Sequence, residues 1–313
     1  MNTEIVYYGM DVAKATLELA GPAGGQTFPN TPRGYGQLLA WLMAQPGLAK
    51  VVCEATGGYE CAVEAALQAA NVTVCVVNAR AVRDFARAKG WLAKTDHIDA
   101  RVLRAFGIAL EPAPTVATSA AQAELSALAT EYRYVVASLT REKGHAEHLT
   151  DTLVCRLSGV RIKELERQRK ALFAALTRAL ENNPVLAARA QRLRQAKGIG
   201  AKTAISLLAF LPELGSMDQG QAAALAGVAP FNRDSGKWRG KRHIQGGRPA
   251  GRTALYMAAL TASKRNPVLA PFYRRLRSNG KPPKVALTAV MRKLVEHANR
   301  LLAQPQNISP CAT

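Results

Sequence analysis

Two short apolar runs that each end on a carboxylate constrain the fold of this chain more than any other feature. Ile5–Met10 is β-prone and leads into Asp11, and Lys50–Cys53 leads into Glu54. Val72–Val77 is a third, fully apolar run of strand length. Between the first two, Ala15–Ala20 alternates as a half-buried strand does. Gly21, Pro22, Gly24 and Gly25 then mark a turn, and Gln26–Pro29 returns as a short strand. Thr31 is placed to cap a helix with Pro32 at its first position, running through Leu38, Leu39 and Leu42. A second helix is expected over about Tyr59–Ala69, and a third from Asp96 through Leu110. Three strands followed by helices alternating with strands is the order of a mixed sheet flanked by helices.

The carboxylates sit at telling places in that scheme. Asp11 and Glu54 close two strands, and Asp96 and Asp99 are three apart at a helix start, which projects both from one face. Four acids converging on one sheet edge would repel one another without a cation. Mg²⁺ suits them, because it is hard, takes oxygen ligands and is commonly held by a few carboxylates plus substrate phosphate. Each acid also has a plain structural reading, such as closing a turn or favouring a helix dipole. Glu60 and Glu64 are expected to face solvent.

Charge points the same way. The 313 residues carry a formal net charge of +20, and it is unevenly spread: 1–115 is balanced, 116–195 carries +5 and 196–313 carries +15. A neutral front joined to a basic back fits a site on one side and a grip for a polyanion, first of all nucleic acid, on the other. The grip centres on Val228–Arg252, where Ser235 lies among Arg233, Lys237, Arg239, Lys241, Arg242, Arg248 and Arg252, with glycines at 236, 240, 246, 247 and 251. Glycine lets backbone approach phosphate closely and arginine forks two donors onto it. The bland alternative is a solvated basic loop. No apolar run is long enough to span a bilayer and the first residues lack the pattern of a signal peptide, so the expected location is the cytosol. Five cysteines without a Cys-x-x-Cys pair argue for reduced thiols, and His145 and His148 read as helix surface.

Leu125, Leu128, Tyr132, Val135 and Leu139 form a heptad seam that continues less strictly through Leu149, Leu153 and Leu157. After Ser158-Gly159 a second helical stretch carries Leu165, Leu172, Leu176 and Leu180. This hairpin either pairs with another copy or folds as an antiparallel pair within one protomer. Beyond Pro184, Gly198-Ile199-Gly200 between helical stretches resembles a helix-hairpin-helix turn, in which Gly198, Gly200 and Lys202 would meet a DNA phosphate without reading bases. Ser206 and Ser263 fall in helix interiors and read as structural.

Tyr-Gly-Met-Asp-Val-Ala-Lys, Cys-Glu-Ala-Thr-Gly and Lys-Thr-Asp-His-Ile-Asp-Ala are similar to the three acidic motifs of the transposases of insertion sequence family 110. Leu-Ala-Gly-Val-Ala-Pro, Arg-Asp-Ser-Gly, the Gly-Gly-Arg run and Arg-Thr-Ala-Leu resemble that family's C-terminal domain, so the likeness covers about residues 5–302. It implies a RuvC-like domain of RNase H-like fold over 1–115 with the quartet Asp11, Glu54, Asp96 and Asp99. It also implies a helical, self-associating segment over 116–195, a mainly α transposase domain over 196–303 with Ser235 as nucleophile, and a tail at 304–313 expected to be disordered. A homodimer or tetramer and a structured guide RNA from the element itself are further implications.

Together these features lead to a DNA transposase that cuts and rejoins strands through a 5′-phosphoserine link. A resolvase-type nuclease, in which the same acids activate water, is the main alternative, and a non-catalytic nucleic-acid binder is the other. There is no Gly-x-x-x-x-Gly-Lys-Ser/Thr loop, consistent with chemistry that needs no nucleoside triphosphate.

Overall fold

The computed structural model describes residues 4–91, 96–232, 234–236, 238–240 and 242–303, with backbone alone for Asp96, His97, Ser235, Trp238 and Arg239. The chain forms two compact units, Met1–Thr118 and Ser119–Thr313.

The first unit is built on a five-stranded sheet of β1 (Ile5–Val12), β2 (Thr16–Gly21), β3 (Gly24–Pro29), β4 (Leu48–Glu54) and β5 (Thr73–Val77), in the order β3-β2-β1-β4-β5. The first three strands run antiparallel as a meander, and β4 and β5 continue parallel to β1. Side-chain alternation splits the strands between two cores. Tyr8, Met10, Val12, Val51 and Cys53 face α1 (Pro32–Met43) and α2 (Cys61–Ala69), where Leu38, Leu42, Val63 and Leu67 complete a buried cluster. On the other face, Val52 and Cys75 meet Val82 of α3 (Ala79–Ala88) and Val102, Leu103 and Phe106 of α4 (Asp96–Leu110). Thr31 caps α1 as expected, accepting from the Gly34 amide at 3.2 Å. The mixed sheet between helical layers, followed by a mostly helical remainder, is compatible with the RNase H-like fold that the resemblance implies.

One glycine decides how α4 lies. A Cβ at Gly9 would stand 2.0 Å from the carbonyl oxygen of Ala100 and 2.3 Å from the amide of Arg104, so only glycine lets helix backbone rest on β1 there. Gly107 meets Tyr7 and Val52 side chains further along. Helix α4 therefore runs antiparallel to β1, and its first turn lies towards the carboxyl end of that strand.

The second unit begins with α5 (Ala120–Ala146) and α6 (Thr152–Glu181), an antiparallel hairpin. Its direction is fixed by the contacts of Tyr132 with Phe173, Glu142 with Arg161 and Lys143 with Glu166. The turn falls at residues 147–151, where Asp151 caps α6, so Ser158-Gly159 lies within a helix and does not divide two. Gly159 is tolerated there, because a helix this long and well packed elsewhere absorbs the ~1 kcal/mol that glycine costs.

Leu125, Ala129 and Leu176 join one core with α7 (Pro184–Arg194), α8 (Ala201–Phe210), α9 (Gln219–Leu225), α10 (Pro249–Arg265), α11 (Leu269–Ser278) and α12 (Pro283–Ala303). Helix α12 buries Leu287, Val290, Met291, Leu294, Val295 and Ala298, a helical spacing of threes and fours. Small residues Ala258, Ala259 and Ala262 let α10 pack closely in this core. Between α9 and α10 lie two short ladders: β6 (Pro230–Phe231) pairs with β9 (His243–Ile244), and β7 (Asp234–Ser235) pairs with β8 (Trp238–Arg239). Among the described residues no helix is long and apolar enough to cross a membrane.

Candidate active site

The acids of the first unit are gathered by strand register and by the Gly9 crossing. Parallel pairing of β1 with β4 ends at Met10 opposite Cys53, so Asp11 and Glu54 follow side by side on neighbouring strands. Met10 and Cys53 both belong to the α1/α2 core, and alternation turns Asp11 and Glu54 to the α4 face. Asp99 precedes Ala100, the residue whose carbonyl touches Gly9, two positions before Asp11 on its strand. Glu54 and Asp99 line one cleft of about 210 Å³. Asp96 starts α4, one turn before Asp99; its carboxylate lies outside the described side chains.

Among the described residues, no three His, Cys, Asp or Glu side chains are grouped closely enough to hold a metal ion. The donor chemistry nevertheless fits a hard divalent cation, because Asp11 and Glu54 on neighbouring strands and Asp99 on the helix packed over them offer only carboxylate oxygens. The cysteines are unsuited to such a role. Burial pushes the Cys53 thiol far above its ordinary value, with Glu64 and Glu60 adding to the shift.

Two features of this edge differ from the sequence reading. Glu60 is buried, 8% exposed, and its carboxylate accepts from the amides of Thr56 at 3.1 Å and Gly58 at 2.9 Å. It thereby fixes the loop that follows Glu54 and does not face solvent. Glu64 is partly exposed, and burial holds its pKa above the ordinary carboxylate value despite a hydrogen bond from Gln68. Helix α3 is also absent from the sequence reading, yet its Arg83 and Arg87, with Trp91 beyond it, line the cleft that holds Glu54 and Asp99. Arginines at 80, 83 and 87 opposite Val82 and Phe85 were the available signal of an amphipathic helix.

In the second unit Ser235 ends β7, opposite Trp238, immediately before Gly236 at φ +56°. A tight hairpin reversal needs such a left-handed residue, and glycine supplies it without strain. Asp234 braces the reversal by accepting from the Gly240 amide at 3.1 Å. Ser235 and Arg239 are described by backbone only, and Arg233, Lys237 and Lys241 lie outside the described residues. Arg242 is exposed.

The remaining two arginines have partners within the protein. Arg248 forks onto both carboxylate oxygens of Glu213 and donates to the Phe210 carbonyl at 2.9 Å. Arg252 donates to the carbonyl of Gly246 at 2.8 Å, close to Gly227. A Cβ at Gly247 would stand 2.2 Å from the amide of Gly227, so the Gly246-Gly247 pair serves a crossing of two backbones. Gly198, at φ +118°, similarly leaves room for Ala262 of α10, whereas Gly200 has open space beside it and caps α8 without a side-chain hydrogen bond. Lys202 places its ammonium 5.3 Å from the Phe173 ring centre.

Acids at one sheet edge of the first unit, and a serine on a hairpin of the second within a basic stretch of sequence, are compatible with an enzyme that acts on nucleic-acid backbone. Residues 8–154 match the DEDD transposase model of IS110 elements, and residues 190–274 match the family described as Transposase IS116/IS110/IS902. The chain belongs to the IS110 transposase family and is a DNA transposase/recombinase. It is also similar to two proteins called pilin gene-inverting protein, one from Moraxella bovis at 28% identity and one from Moraxella lacunata at 27%. Each alignment covers 95% of this chain and 96% of the relative. DNA is thus the substrate, and the DEDD family suggests that catalysis depends on a divalent metal.

Proposed function

We propose that this protein exchanges DNA strands through a phosphoserine link at Ser235, with Asp11, Glu54, Asp96 and Asp99 holding Mg²⁺. The observation that carries the reading is the gathering of Asp11, Glu54 and the first turn of α4 at one sheet edge. The name of the two Moraxella relatives supports it, since inverting a gene requires DNA to be cut and rejoined without loss.

In the first step Ser235 Oγ attacks a backbone phosphorus, loses its proton and displaces the 3′-oxygen, which leaves as a hydroxyl. In the second, the 3′-hydroxyl of another strand attacks the same phosphorus and returns the serine hydroxyl. One phosphoester replaces another in each step, so no external energy source is consumed. When bound, the metal supplies Lewis-acid polarisation of the phosphate and stabilises the leaving oxygen. The basic residues around Ser235, among them the exposed Arg242, offset charge on the phosphate as it is transferred.

Targeting by a structured RNA from the element, action as a homodimer or tetramer, and residence in the cytosol complete the proposal. The charge of +15 over 196–313 supports a backbone grip that leaves sequence reading to base pairing. Leu153, Leu157 and Val160, 53%, 48% and 60% exposed on one stripe of α6, support self-association.

The experiment combines purified protein, Mg²⁺, transcripts of the DNA flanking its gene, and junction and target duplexes, followed by denaturation and peptide mapping. DNA linked through phosphate to Ser235, lost in Ser235→Ala and in Asp11→Ala, is expected. Cleavage without an adduct under trapping conditions would replace this reading with metal-activated water.

A further inference from the structure

A cavity of about 640 Å³ in the second unit lies between α5, α6, α8 and α10. Three aromatic rings wall it. Tyr132 and Phe173 stand 5.9 Å apart at a tilt of 43°, and Phe210 of α8 lines the same space. Its remaining wall is largely apolar, with Met257 of α10, 59% exposed, at the surface. Four cations, Arg133, Arg194, Lys197 and Lys202, border it, and no carboxylate does among the described residues. Two of the cations rest on its aromatic rings, Arg133 at 5.7 Å from the Phe210 centre and Lys202 at 5.3 Å from that of Phe173. The start of α8 at Gly200, a cap residue with no side chain to bond the first amides, opens onto the same space.

We infer that this cavity receives one unpaired base of the DNA substrate, stacked against the aromatic wall, while the cations and the α8 N-terminus hold the phosphates on either side of it. The volume is that of a small-molecule site and suits a nucleotide, whereas a packed helix of another chain would need a trough about 10 Å across. Four cations with no carboxylate among the described lining residues select an anionic ligand over an ordinary apolar peptide, and flat rings select a π-face. Strand exchange itself supplies unpaired bases, so the inference rests on the DNA-exchange reading and extends it to where such a base is held.

The test measures binding of the full-length protein, by fluorescence anisotropy, to three duplexes of equal length. One is fully paired, one carries a single unpaired adenine, and one carries an abasic residue at that position. The unpaired adenine is expected to bind about tenfold more tightly than the abasic residue. A 2-aminopurine placed there should lose fluorescence on binding. Phe173→Leu and Phe210→Leu, which keep the wall apolar, should erase the margin of base over abasic residue. The exposed Arg133, changed to Gln, provides a variant whose folding is not at issue, and it should weaken binding of the bulged duplex.

Equal affinity for base and abasic residue would overturn the inference while leaving the DNA-exchange reading intact, provided the paired duplex still binds. Failure to bind any of the three would count against both. An equal or larger margin with the same bulge in RNA would overturn the assignment to DNA.

Discussion

The two sets of residues proposed for catalysis are held by different kinds of structure. Asp11, Glu54 and Asp99 ride on long strands and a helix, and their positions follow from register and from one close crossing at Gly9. Ser235 rides on a ladder of two residues per strand, braced by Asp234, by the Gly227–Gly247 crossing and by Arg248 and Arg252. A mixed sheet distributes its constraint over many hydrogen bonds and a buried core, whereas among the described residues the hairpin is held by the braces just named.

The contrast is tested most severely by removing the chemistry itself. Ser235→Ala should abolish the DNA adduct altogether, while Asp11→Ala or Asp99→Ala should lower strand transfer by at least about a hundredfold, as loss of transition-state charge stabilisation does. Survival of the adduct in Ser235→Ala would break the division of labour between the two units.

Glycine replacements come next. Gly9→Ala pushes a methyl into the backbone of α4 and should cost about 3 kcal/mol or more of stability in the first unit, read from its denaturant midpoint. Gly247→Ala, at φ +66° and 2.2 Å from Gly227, should suppress strand transfer while leaving helical circular dichroism near that of the parent. Equal global destabilisation by both would show that the loop is as integral to its unit as α4 is.

A subtler comparison separates an arginine proposed to grip DNA from one paired within the protein. Arg242→Gln should reduce the salt slope of duplex binding by about 0.9. Arg248→Gln should leave that slope unchanged and cost no more than about 1 kcal/mol, since its pair with Glu213 is nearly half exposed. Leu157→Glu should reduce the molecular mass seen by light scattering without changing the melting temperature by more than a few degrees, because the side chain is 48% exposed.

The smallest effect concerns the tip of the α5–α6 hairpin. Hydrogen bonds from Arg161 and Ser158 hold Glu142 below the ordinary carboxylate value, and Lys143 does the same for Glu166. Groups with a depressed folded-state pKa contribute in full above the unfolded value and lose that contribution as pH falls through the folded one. Amide exchange at residues 140–166, corrected for intrinsic rates, should therefore be steady above about pH 5 and faster below it, with little change in the buried sheet.

Much of this was legible along the chain. The strands that carry Asp11 and Glu54, the Thr31 cap and the periodic α12 declare themselves because strand and helix periods and turn chemistry are local. Other features depended on neighbours remote in sequence. Glu60 reads as a surface helix acid until its carboxylate is seen to hold the amides of Thr56 and Gly58. Ser158-Gly159 reads as a break until the turn is found at 147–151. That Arg248 and Arg252 have partners within the protein, Glu213 and the Gly246 carbonyl, is likewise invisible along the chain.

The sequence by itself determined the kind of chemistry: which carboxylates and which hydroxyl are present, the basic back half, and the family motifs that identify a transposase. Only the tertiary structure decided how α4 approaches β1, that Arg83 and Arg87 share a cleft with Glu54 and Asp99, and that aromatic residues from α5, α6 and α8 meet around one cavity. The physical reason is that strand register and helix periodicity are written in neighbouring residues, whereas a close crossing or a shared cavity is set by the packing of segments far apart in the chain.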